Sequence, residues 1–421
     1  MIDNAMSLNE RIKKARAKFA AMAGTYFVGV FNDNFFKQTA LLMAVIAGKE
    51  NIQGHATIVF TLPFIVLAAH AGWFADKFSK RSVVIGAKAL ELAAMIFGAW
   101  GIITGNWILI LVMLGIEGVQ AAIFSPALNG SIPELYPAQY VITANAIIRM
   151  LSTAAILIGI AAGGFVLDIK GDIGYLPFNR VAAAALVITV SLAGVIMSFG
   201  VARFPAAAPA AKFPWQGPIE TLKVLYKTRF DASLAAAIAA NAFFWFVGSL
   251  NVLMVNKLGI SQLKLSNSMT SALVVAELVG IAAGGLLSIY LSKKIRWHRI
   301  LAPAAFVMAL CMIAVAAVPF FYTPVKLLCL FGALGIMGLA GGLYVIPLEA
   351  FIQVRPAPDS KGKTIAAANF AAFTGILLSG PTLNLLNYLE ISSSGSFAVL
   401  GAMTLIVAIF LLAFPREKQN A

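Results

Sequence analysis

The sequence predicts an all-α integral membrane protein, with twelve transmembrane helices in two pseudo-symmetric six-helix bundles. Three observations carry this: a composition too apolar for water, apolar runs of bilayer length, and basic charge gathered largely on one side of those runs. Of 421 residues, 61% are hydrophobic and 11% charged, against roughly a quarter charged in soluble domains. So few polar side chains cannot cover a water-exposed surface. A span needs about 20 residues at 1.5 Å of rise to cross about 30 Å of hydrocarbon. Runs of that length fall at 18–47, 54–75, 82–104, 106–126, 139–168, 177–203, 230–257, 264–292, 299–319, 324–352, 362–388 and 394–414. Stretches such as Trp107–Gly115 and Ala398–Phe414 are continuously apolar. A β-barrel would instead alternate polar and apolar residues.

The first run follows a polar, basic stretch, Met1–Lys18, and is too long for the apolar core of a signal peptide, so no cleavage is expected. Its middle reads Phe31-Asn32-Asp33-Asn34-Phe35-Phe36-Lys37-Gln38, which sets Asp33 and Lys37 four apart on one helix face. The loop Gly72-x-x-x-Asp76-Lys77-x-Ser79-Lys80-Arg81 leaves the second run, and Lys88 with Glu91 lies near the inner end of the third. That pair is expected to bond to itself or to snorkel toward water. The fourth run carries Glu117 and Gln120 and exits through Phe124-Ser125-Pro126 to Asn129-Gly130 and Pro133-Glu134. Asn145 and Arg149 fall in the fifth.

After the sixth run comes the longest polar stretch, whose Pro205, Pro209, Pro214 and Pro218 rule out one continuous helix. Within it, Ile219–Tyr226 fits a short amphipathic helix on a membrane surface. The expected organisation is therefore a bundle at 1–203, a linker at 204–229 and a second bundle at 230–421. Glu277 and Glu349 lie in the eighth and tenth runs, the latter near its inner end. Cys311 and Cys329 sit in apolar runs without His or Cys-x-x-Cys neighbours, so neither a metal site nor a disulfide is expected.

The net charge of +14 invites a nucleic-acid reading, but the distribution points elsewhere. With both termini in the cytoplasm, 22 of the 31 Lys and Arg residues lie on the inner side and six on the outer. This is the positive-inside rule, and it explains the basic charge with no nucleic acid.

A weak internal repeat supports two halves. Gly72, Ser79, Lys80 and Arg81 recur at identical spacing as Gly285, Ser292, Lys293 and Lys294, but Ile289 stands where Asp76 does. Ile123-Phe124-Ser125-Pro126 is echoed, one residue out of register, by Leu343–Pro347. Duplicated bundles of this kind hold a substrate site between repeats in transporters.

The loop Gly72–Arg81 resembles the one between spans two and three of major facilitator transporters, with Ser79 in place of the usual Gly. The resemblance implies that Asp76, Lys80 and Arg81, with Glu349 in the second half, gate the exchange between two rocking states. Phe31–Gln38, Phe124–Leu135 and Ala144-Asn145-Ala146 resemble, more narrowly, the bacterial lysophospholipid transporter family. That family carries lysophosphatidylethanolamine-type lipids from the outer to the inner leaflet of the bacterial inner membrane. There an acyltransferase/acyl-carrier-protein synthetase re-esterifies them. The resemblance thus implies a lysophospholipid substrate, contact with membrane lipids and that enzyme as functional partner; a monomer without cofactor is expected.

The residues suit such cargo. Charged side chains deep in a bilayer face cavities or partners. Asp33, Asn34, Lys37, Glu117, Gln120, Asn145 and Arg149 together offer carboxylates to an ammonium and cations to a phosphate. Alternatives stay open: Asp33 and Lys37 could simply pair along their helix, and Glu117 and Glu277 could be structural hydrogen-bonding groups. Proton-coupled movement of another small hydrophobic solute, with Asp33 or Glu117 titrating, is the second reading. An enzyme is not indicated: the histidines lack catalytic partners, and no phosphate-binding Gly-x4-Gly-Lys-Ser/Thr loop is present.

Overall fold

A computed structural model describes residues 8–210, 212–321, 323–357 and 360–413. The chain termini, expected to be cytoplasmic, lie outside them. Helices dominate, as lipid requires when every backbone donor must be satisfied within its own segment. In chain order they are α1 (Leu8–Ile46), α2 (Asn51–Val66), α3 (Ala68–Lys77), α4 (Lys80–Thr104), α5 (Trp107–Leu135), α6 (Ala138–Leu167), α7 (Phe178–Ser198), α8 (Gly217–Thr228), α9 (Ala232–Lys257), α10 (Asn267–Leu291), α11 (His298–Ala317), α12 (Thr323–Val354), α13 (Lys361–Tyr388) and α14 (Ser393–Leu412). A two-residue-per-strand hairpin, β1 (Asp172–Ile173) with β2 (Leu176–Pro177), closes the α6–α7 loop; nothing in the sequence reading anticipated it.

Ten of these helices are long and apolar enough to cross a membrane among the described residues, and α2 with α3 makes an eleventh if counted as one bent span. The count of twelve requires α1, which starts ten residues before the expected apolar run and carries Asp33 and Lys37. Between Val66 and Ala68 the chain bends by 56°. Pro63, inside α2, lacks the N–H that would continue the helical ladder, which weakens the helix just before the bend. The amphipathic segment after the prolines is the helix α8, with exposed Ile219, Leu222 and Tyr226.

The chain divides into two compact units, Met1–Ala40 with Leu62–Pro218, and Leu41–Thr61 with Ile219–Ala421. In the first, a core runs from Phe19 and Met22 of α1 through Val84 of α4 to Phe124, Leu128 and Ile132 of α5. Gly159 and Gly163 of α6 seat directly on α1: a Cβ at Gly159 would lie 2.6 Å from the Phe31 carbonyl oxygen. Small residues four apart permit such close helix packing in lipid. They fix α1 at the stretch carrying Asp33. The prolines after α7 meet α3: the Ala208 amide donates to the Asp76 carbonyl at 2.8 Å, and the Phe213 ring lies 4.8 Å from His70 and 5.1 Å from Trp73. In the second unit, Lys257 pairs with Glu50 at 2.8 Å and Asp231 with Arg355 at 2.8 Å.

Candidate functional site

The polar centre of the first unit is built by α1, α4 and α5. Asn32 anchors α1 to α7, its amide donating to Ser191 Oγ at 2.7 Å and to the Val187 carbonyl at 3.2 Å. The next residue, Asp33, is thereby turned toward α4 and α5, partly buried, and its Oδ1 has no hydrogen-bond partner. Glu117 of α5 is 1% exposed, and its carboxyl faces that of Asp33 with no N–H or hydroxyl donor on either oxygen among the described residues. Glu91 of α4 completes the group, and one oxygen from each of the three carboxylates lies within 4.8 Å of the others.

One cation stands against them. Lys88 pairs with Glu91, both side chains being 1% exposed, and Gln120 donates to the same Glu91 oxygen at 3.3 Å. The lysine stem lies in a slot between α1 and α7. A Cβ at Gly29 would overlap its ammonium, and one at Gly194 would touch its Cδ. The Nζ lies 4.7 Å from the centre of the Phe124 ring, a cation–π contact.

Of the two expectations for Lys88 and Glu91, pairing holds and snorkelling does not. The pair is enclosed and joins Asp33 and Glu117. The sequence signal was present in their i,i+3 spacing. The slot that buries them depends on glycines of two other helices, which no local pattern announces.

The other expected residues are dispersed. Asn34 donates to the carbonyl of Val30 in its own helix at 2.8 Å, and Lys37 is half-buried one turn beyond Asp33. The ammonium within electrostatic reach of Asp33 is Lys88. Asn145 and Arg149 are exposed on α6, with the Asn145 amide bonded to the Val141 carbonyl at 3.0 Å, so the cluster forms without them. Among the gating candidates, Lys80 is buried and pairs with Glu134, also donating to the Gly130 carbonyl at 3.0 Å. Arg81 donates to the Phe199 carbonyl at 2.7 Å. Asp76 is exposed, and Glu349 is half-buried near the end of α12.

In the second unit Glu277 of α10 is buried and accepts from the Asn251 amide of α9. Apart from it lies a groove of about 460 Å³ lined by Leu225, Phe243, Phe246, Phe370, Leu378 and Met403.

Known proteins resemble the chain over most of its length. It is 29% identical over 368 residues to the lysophospholipid transporter LplT of Serratia proteamaculans, covering 84% of each chain. The LplT of Cronobacter sakazakii is 29% identical over 415 residues, covering 93% of this chain and 94% of its own. The crystal structure of a D-xylose-proton symporter superposes with a TM-score of 0.72 at 15% identity, covering 99% of this chain and all of that one. That likeness establishes the fold, two bundles of membrane helices. The family model of the Major Facilitator Superfamily matches residues 19–380, and the chain belongs to that superfamily of transporters.

Proposed function

We propose that this protein moves lysophospholipids of the lysophosphatidylethanolamine type from the outer to the inner leaflet of a bacterial inner membrane, by alternating access, for re-acylation there. In this reading 1–203 and 230–421 are the two rocking bundles, 204–229 links them, both termini are cytoplasmic, and an acyltransferase/acyl-carrier-protein synthetase takes the product. The observation that carries the reading is Asp33. It is the one member of the carboxylate cluster that is only partly buried, and it keeps an oxygen without a protein partner inside an apolar helix. A carboxylate in that position needs a cation, and the ammonium of an ethanolamine headgroup supplies one. Two features support the reading: the length of the similarity to lysophospholipid transporters, and the groove of about 460 Å³ in the second unit, lined by three phenyl rings and aliphatic side chains, which suits an acyl chain.

The test is leaflet translocation in vesicles holding the purified protein, with fluorescent lysophosphatidylethanolamine and its diacyl counterpart side by side. Saturable movement of the lysolipid alone is the expected result. No protein-dependent movement of either lipid would overturn the reading. The convergence of Asp33 and Glu117 favours one second reading, proton-coupled transport of another small hydrophobic solute. It predicts uptake that collapses with the proton gradient.

A further inference from the structure

The core of the first unit holds more carboxyl groups than cations to pair them. Asp33, Glu91 and Glu117 converge, while among the described residues Lys88 is the ammonium paired within the group. Among the described residues, Lys88 is the cation that acts on Asp33 and Glu117. From α5 comes the neutral Gln120; α7 contributes Ser191 and Gly194 and carries its single charge, Arg180, near its start; the single charge of α6, Arg149, is exposed. Lys37 lies a turn further along α1. Uncompensated charge in so dry a place is strongly unfavourable.

A second observation, independent of the charge count, points to a ligand. Neither oxygen of Glu117, at 1% exposure, accepts from an N–H or hydroxyl donor among the described residues, and neither do Asp33 Oδ1 and Glu91 Oε1; the neighbour of Glu117 is the Asp33 carboxyl itself. Buried acceptors of this kind are nearly always satisfied. The hydrogen bonds that Lys88 and Gln120 make to this group both go to Glu91 Oε2.

We propose that Asp33, Glu91 and Glu117 form a binding site for a sodium-sized metal cation. The spacing permits one ion: oxygens bound to a single hard cation at roughly 2.4 Å can lie no further apart than about 4.8 Å, and these three lie within 4.8 Å of one another. The number of oxygens chooses between ions. Calcium takes about six to eight oxygens, and magnesium keeps several waters in a near-octahedral shell. This enclosed group offers fewer, and its Lys88 disfavours a doubly charged guest. A monovalent hard cation fits both limits. It would reach the site past Asp33, the one carboxylate not fully enclosed. Cation and headgroup would then share one carboxylate, so each would alter the affinity for the other.

The experiment uses the full chain, purified and free of lysolipid, so its outcome does not depend on what the protein transports. Thermal unfolding is followed in sodium, lithium, potassium, calcium or choline chloride at constant ionic strength, at two pH values. The expected result is a saturable rise of several degrees in Tm with sodium over choline, at both pH values, lost in Glu117→Gln. Should Glu117→Gln fail to fold, Asp33→Asn, at the rim of the group, takes its place and should weaken the sodium response at least tenfold. Equal midpoints in sodium and choline would overturn the site. So would a response to calcium in place of sodium, midpoints that follow pH alone, or a sodium response unchanged in the variants. A pH-only response would mean that protons satisfy these carboxyls.

Discussion

Lys80, the first residue of α4, pairs with Glu134 in the last turn of α5 and caps the carbonyl of Gly130 at 3.0 Å on the way. The two stretches that read as separate motifs in the sequence therefore meet at one ammonium. Its side chain is 11% exposed and that of Glu134 27%, so the pair is better shielded than a surface bridge. A double-mutant cycle on Lys80→Met and Glu134→Gln should give a coupling of about 0.5–1 kcal/mol in thermal unfolding. Strictly additive effects would reduce the contact to a coincidence of position.

Asp33 separates a ligand role from a structural one. If Lys37 were its partner along α1, exchanging the two as Asp33→Lys with Lys37→Asp would preserve activity. The structure sets Asp33 against Glu91, Glu117 and Lys88, so the exchanged protein should lose lysolipid translocation. Asp33→Asn should lose most of it too, at unchanged membrane abundance. Retained translocation in Asp33→Asn would remove this carboxylate from substrate binding.

Gly159 holds α1 in place by having no side chain. In Gly159→Leu the new Cβ would press on the Phe31 carbonyl and the Phe35 amide. The helices must part or the new side chain must strain, at a cost of about 1–3 kcal/mol. Lower Tm and lower membrane yield are expected, whereas Gly115→Ala, with nothing near its Cβ, should be neutral.

Asp231 makes acid stability measurable outside the spans. Burial pushes its carboxyl up, but the hydrogen bond from Arg355 and the amides of Leu234 and Ser233 outweigh this and hold it below the usual carboxylate range. A group whose folded value is depressed adds stability above its unfolded value near ~4, and that contribution disappears as pH falls through the folded value. Asp231→Asn should therefore lose less Tm than the parent between about pH 6 and pH 3. Equal losses would mean that other carboxylates set the acid limit.

The spans were legible because a bilayer imposes a length and an apolarity that any window of sequence displays. The α8 helix was legible for a similar reason. Depth and facing were not. Arg149 reads as buried because the residues around it are apolar, yet a helix spreads neighbours around its circumference, and this one lies on the exposed side of α6. Lys88 reads as a lysine that pairs with Glu91 or snorkels, because its position along the span is near one end; two glycines on other helices make the pair a core feature. The start of α1 at Leu8, well before its apolar run, follows from a helix continuing past the lipid, where hydropathy carries no signal.

The strap of linker residues over α3 has a consequence for how the protein is made. Ala208 and Phe213, which hold Asp76, His70 and Trp73, are synthesised long after the segment they secure. At about 5–20 residues per second, the part of span two beyond the bend waits on the order of ten seconds for the contacts that complete it. A truncation ending before Pro205 should leave α3 open to protease at its exposed face, while one ending after Gly217 should protect it.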